Sequence, residues 1–102
     1  MRRLLETRPD LDAVFAANDS MVAGALRVLR ESGRQVPDQV ALVGFDDSPL
    51  ARHTDPPLTT VHQPTEQMGR EMARLLLDHI TGDSRGLEQQ VLPARRVVRA
   101  ST

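Results

Sequence analysis

Two short apolar runs in this 102-residue chain each end in a pair of oxygen-bearing side chains. Val14-Phe15-Ala16-Ala17 leads into Asn18-Asp19, and Val40-Ala41-Leu42-Val43-Gly44-Phe45 leads into Asp46-Asp47. Between them, Met21, Val22, Ala25, Leu26, Val28 and Leu29 follow the 3.6-residue period of an amphipathic helix. Strand, helix and strand within about thirty residues make a βαβ unit. Such a unit is right-handed and its strands are parallel. Open parallel sheets hold ligands just beyond the carboxyl ends of their strands. Asn18 and Asp46 are therefore expected on one rim.

The rest of the chain extends this pattern. Arg2 to Arg8 reads as a helix stopped by Pro9-Asp10, and Asp12 to Ala17 as a short buried strand, because its apolar residues do not alternate. Asn18, Asp19 and Ser20 are helix-capping types, and Gly33 suits the helix end. Ser48-Pro49 predicts a capped helix of little more than a turn or two, since Asp55-Pro56-Pro57 forces extended chain. Leu58 to His62 is β-prone. Pro64-Thr65-Glu66 opens a helix with a face of Met68, Met72, Leu75, Leu76, His79 and Ile80, ended by Thr81-Gly82-Asp83. Val91-Leu92 and Val97-Val98 are short β-prone runs around Pro93. The alternation predicts an α/β sandwich of parallel strands.

Composition narrows the function. The chain is 39% hydrophobic and 26% charged with a net charge of −1, which is globular and carries no electrostatic footprint for nucleic acid or an anionic membrane. All 13 basic residues are Arg and are spread along the chain as solvated surface. The lack of cysteine excludes disulfides, thiolate metal sites and Cys nucleophiles. No apolar run approaches a membrane span, and Glu6, Arg8, Pro9 and Asp10 interrupt the start too early for a signal peptide, so the cytoplasm is the expected compartment.

Asn18 and Asp46 are the candidate ligand-binding residues. An Asn amide both donates and accepts, and a carboxylate accepts several hydrogen bonds from a polyol or a ring N–H. Asp19 and Asp47 read as caps or supports behind them. Helix capping for Asn18, and an Asx turn into Ser48-Pro49 for Asp46 and Asp47, are the alternatives. Paired Asp at a strand end also suits Mg²⁺. However, no Gly-rich phosphate loop or Lys accompanies it, and no metal or cofactor is expected. His53, His62 and His79 lack metal-pair spacing, and neither Ser20 nor Ser48 sits in a nucleophile elbow. Phe45 is either core or the apolar wall of a site.

Four ordered stretches resemble the lactose-repressor (LacI/GalR) family of bacterial transcription regulators. They are Asp12 to Asp19, Val36-Pro37 through Val43-Gly44-Phe45-Asp46-Asp47, Leu58-Thr59-Thr60-Val61-His62-Gln63-Pro64 with Met68-Gly69, and Leu92 to Thr102. The resemblance implies a partial periplasmic-binding-protein-like fold with an incomplete second lobe. Residues 1–62 and 93–102 would belong to the C-terminal lobe, and 63–92 would cross to the N-terminal one. It implies that Asn18, Asp46 and Gln63 hydrogen-bond an effector of sugar or nucleobase class. It also implies a homodimer to which Ala23, Arg52, His53 and Thr54 contribute. DNA contact would be made only by a helix-turn-helix head outside these residues. The apolar face of Met68, Met72, Leu75, Leu76 and Ile80 would lack its usual partner and be exposed. The expected function is non-enzymatic effector sensing, coupled to DNA affinity, in a transcription regulator. A sugar-binding protein of a transport system and a metal-dependent enzyme are the competing readings.

Overall fold

The computed structural model of the chain describes residues 1–82 and 89–102. Helix α1 (Arg2–Thr7) leads to strand β1 (Ala13–Phe15), helix α2 (Asp19–Glu31) and strand β2 (Ala41–Val43). Helix α3 (Leu50–His53), strand β3 (Thr60–His62), helix α4 (Thr65–Thr81) and strand β4 (Arg95–Val97) follow. These form two compact units: residues 1–62 with 95–102, and residues 63–94. Asp83, expected to end α4, lies outside the described residues.

In the first unit β1 pairs parallel with β2, with Val14 opposite Leu42, as the βαβ reading requires. Parallel bridges Val43–Thr59 and Asp46–His62 join β2 to β3. The parallel expectation fails at β4, which runs antiparallel to β3 with Thr60 opposite Val97. The chain turns back along β3, and its last residues tuck under β2. The Ser101 hydroxyl donates to Leu42 O at 2.6 Å and accepts from Thr59 N at 2.8 Å. One hydroxyl thus bridges β2 and the residue before β3, in a site with no solvent access. Val91-Leu92 forms no strand.

Helix α2 forms as its local signals dictate. The Asn18 carbonyl oxygen Oδ1 accepts from Met21 N at 2.9 Å, capping the first turn. At the other end Gly33 takes φ 74°. Gly33 N donates to Arg30 O and Arg34 N to Leu29 O, the paired bonds of a Schellman motif. Its buried face is Val22, Ala25, Leu26 and Leu29, which meets Val40, Leu42, Ala51 and Leu58 in the core. Met21 falls off this face and is exposed, one residue out of phase with the stripe. Helix α3 starts at Leu50, but Ser48 does not cap it; its Oγ makes no hydrogen bond among the described residues.

The expectation of a buried first strand is half met. Val14 packs on the core, whereas Phe15 is 65% exposed and Ala13 is exposed. Only one face of β1 is covered among the described residues of this unit. In the second unit, α4 has no buried residue; Leu76 and Ile80 are 58% and 68% exposed. Gly82 at φ 79° closes its last turn. Ion pairs Glu66–Arg70 and Arg74–Asp78 line its polar side. A groove of about 310 Å³ runs along its apolar side, lined by Met68, Met72, Leu75, Leu92 and Ala94 among others.

Candidate functional site

The tips of β1 and β2 lie side by side. Asp19 N donates to Phe45 O at 3.0 Å. Asn18 precedes that bond and Asp46 follows Phe45, so both stand at the carboxyl rim of the parallel pair. Asn18 is half-buried. Its Oδ1 serves the α2 cap, and its amide N–H groups are the part of the side chain left to address a ligand. Asp46 is exposed, and Phe45 beside it is half-buried. Gln63 is the first residue after β3 and opens the second unit.

The backbone at Asp46 is unusual. Asp46 has φ 109° and Asp47 φ 55°, two consecutive non-glycine residues on the positive side. Conformations of this kind cost about 1–3 kcal/mol each and persist only where the surroundings over-determine them. Here they do. Asp46 N donates to Val61 O at 2.9 Å and Asp47 N to Thr60 Oγ1 at 3.3 Å. Ser48 N donates to Asp19 Oδ2 at 2.8 Å, and the Thr60 hydroxyl donates to Asp19 Oδ1 at 2.6 Å.

Asp19 is therefore neither a cap nor a ligand contact. It is buried, and its two carboxylate oxygens tie α2 to the Asp46 turn and to β3. The cap is Asn18, one residue earlier. Gly44 makes the approach possible, because a Cβ there would run into Asp19 Oδ1 and crowd Val22.

Asp47 turns inward as well; its side chain is 3% exposed. Arg99 Nη2 donates to Asp47 Oδ1 at 2.7 Å, and His62 Nδ1 stands 2.9 Å from Oδ2. Arg99 Nη1 also donates to Leu58 O at 3.0 Å. Burial pushes the Asp47 carboxyl up, but the hydrogen bonds from Arg99 and His62, with the charges of Arg99 and Arg52, more than offset it. Its value ends below the ordinary 3.8. A carboxylate so engaged is no spare metal ligand, and among the described residues no three His, Asp or Glu side chains converge on a metal site. Sequence reasoning missed Arg99 and gave His62 no role. Both are brought to Asp47 by β3 and the C-terminal segment, from 52 and 15 residues away.

The positions expected at a dimer contact lie on α2 and around α3. Ala23 is on α2; Arg52 and His53 are exposed on α3, which packs beside α2. His53 Nδ1 is 2.7 Å from Pro49 O, and the Thr54 hydroxyl donates to Pro56 O at 2.9 Å. His79 is exposed on α4.

The profile of the periplasmic binding protein-like domain matches residues 1–102. The chain is 59% identical over 101 residues to the HTH-type transcriptional regulator CelR of Thermobifida fusca, covering 99% of this chain and 30% of CelR. The chain belongs to the periplasmic-binding-protein-like domain family of LacI-type regulators. Within that family it is similar to the structure of a transcriptional regulator CelR–cellobiose complex, at TM-score 0.96 and 58% identity over 99% of this chain and 31% of that one. It is also similar to the lac repressor dimer bound to operator and the anti-inducer ONPF, at TM-score 0.88 and 33% identity, covering 98% and 35%. The chain thus spans about a third or less of these LacI-type relatives. The relatives are transcriptional regulators, and no helix among the described residues is long and apolar enough to cross a membrane.

Proposed function

We propose that this chain is part of the effector-sensing module of a LacI-type, DNA-binding transcription regulator, and that its effector is a sugar of the cellobiose class. The observation that carries this is its 59% identity with CelR, joined to the likeness to the CelR–cellobiose complex over 99% of the chain. Asn18 and Asp46 hydrogen-bond the sugar hydroxyls from the strand-tip rim, Gln63 adds a third polar contact, and Phe45 offers an apolar wall to the sugar ring. Residues 1–62 and 93–102 belong to the C-terminal lobe and 63–92 to the segment that crosses to the other. The module binds without catalysis. In the whole protein it dimerises through α2 and α3, with Ala23, Arg52, His53 and Thr54 at the contact, and a separate head meets DNA in the cytoplasm.

A chimera tests this reading. The matching segment of Thermobifida fusca CelR is replaced by this chain, and cellobiose, lactose and ribose are titrated calorimetrically. The chimera is expected to bind cellobiose in preference to the others. Losing one hydrogen bond to a charged group weakens binding by roughly 10–100-fold, the effect expected of Asp46→Asn. A folded chimera that binds none of the three sugars would sink the proposal.

A further inference from the structure

We propose that Arg99, acting through Asp47, is a positioning residue for Asp46: its guanidinium holds the turn that presents the Asp46 carboxylate. This rests on the reading of Asp46 as an effector ligand. The turn after β2 has every reason to relax, because Asp46 at φ 109° and Asp47 at φ 55° both occupy conformations that side-chain-bearing residues avoid. The main chain is held on either side of Asp47, by Asp46 N on Val61 O at 2.9 Å and Ser48 N on Asp19 Oδ2 at 2.8 Å. Asp47 N has only a long contact of 3.3 Å to Thr60 Oγ1. What fixes Asp47 is its side chain, gripped on one oxygen by Arg99 at 2.7 Å and met on the other by His62 at 2.9 Å. Asp47 is buried by this grip, while Asp46 before it is exposed.

Arg99 is suited to this in a way that Lys is not. Its side chain is 17% exposed, and its planar fork reaches Asp47 with one nitrogen and Leu58 O with the other. The fork thus spans from the approach to β3 to the turn after β2. Arg99 is itself anchored, since its backbone N donates to Thr59 Oγ1 at 2.8 Å and its carbonyl accepts from the same hydroxyl at 3.1 Å.

The test has two arms. In the first, amide hydrogen exchange is followed by NMR in the 102-residue chain and in its Arg99→Met and Asp47→Asn variants. The amides of Asp46, Asp47 and Ser48 are expected to lose protection selectively, while Val14 and Leu42 keep theirs. Unchanged protection at residues 46–48 overturns the proposal. Equal loss throughout the sheet in both variants also overturns it, as that marks a residue that merely holds the fold.

In the second arm, cellobiose is titrated into the CelR chimera carrying each substitution alone and together with Asp46→Asn. Each alone is expected to weaken binding about tenfold, with no further loss on top of Asp46→Asn, because both act through the same carboxylate. Losses that multiply overturn the proposal. A parent chimera that binds no cellobiose removes the effector reading, and the exchange arm still decides whether Arg99 sets the Asp46 turn.

Discussion

Gly44 marks the closest approach of β2 to the start of α2, and the Asp19 carboxylate fills the space a side chain would need. Gly44→Ala must push Asp19 away from Ser48 N and Thr60 Oγ1, and is expected to cost about 1–3 kcal/mol as overpacking. Urea unfolding checks this; a loss below a few tenths would show that the neighbours give way. Ser101→Ala strands Thr59 N and Leu42 O in a buried site, an expected loss of roughly 1–3 kcal/mol, whereas Ser20→Ala on the surface is near neutral. Asp47 predicts a pH dependence. Its folded value lies below 3.8, so its contribution is complete above that value and disappears as pH falls through the folded value. The stability gap between the parent chain and Asp47→Asn should therefore narrow as the pH is lowered from about 5 through the folded value. A gap that is constant over that range would contradict the clamp. None of these three roles is visible locally: Asp19 meets Thr60 across 41 residues, Asp47 meets Arg99 across 52, and Ser101 meets Leu42 across 59.

The elements divide by how local their causes are. Helix α2 was readable because its cap, its 3.6-residue stripe and its closing glycine lie within seventeen residues of one another, from Asn18 to Arg34. Even so, which of Asn18 and Asp19 caps was not readable, since both suit the position and a distant hydroxyl decides. Asn18→Ala is expected to cost about 0.5–2 kcal/mol of stability by thermal unfolding, quite apart from any effect on effector binding. Helix α4 was equally readable as a helix, yet no residue of its periodic stripe is buried. Periodicity shows which side is apolar and not whether anything covers it. Leu29→Ala in α2 should therefore lose about 2–5 kcal/mol, while Ile80→Ala in α4 should change global stability by no more than about 0.5 kcal/mol. Comparable losses for the two would show that the α4 face is buried in solution.

At the scale of the molecule, the rim shared by Asn18 and Asp46 followed from the parallel strands of one βαβ unit, so it could be foreseen from the pattern alone. The antiparallel β4 could not, because Arg95–Val97 has no turn tying it to β3, only a pairing that the returning chain creates. The first unit is therefore discontinuous, residues 1–62 completed by 95–102. During synthesis the residues of β2 and β3 emerge well before the segment that caps them. Until residues 95–102 have been made, β3 offers an open strand edge, and the Leu42 carbonyl and Thr59 amide wait for the Ser101 hydroxyl. A ribosome paused within residues 63–94 would hold out a half-built sheet, and the interval of greatest exposure to misassociation is set by how fast that stretch is translated.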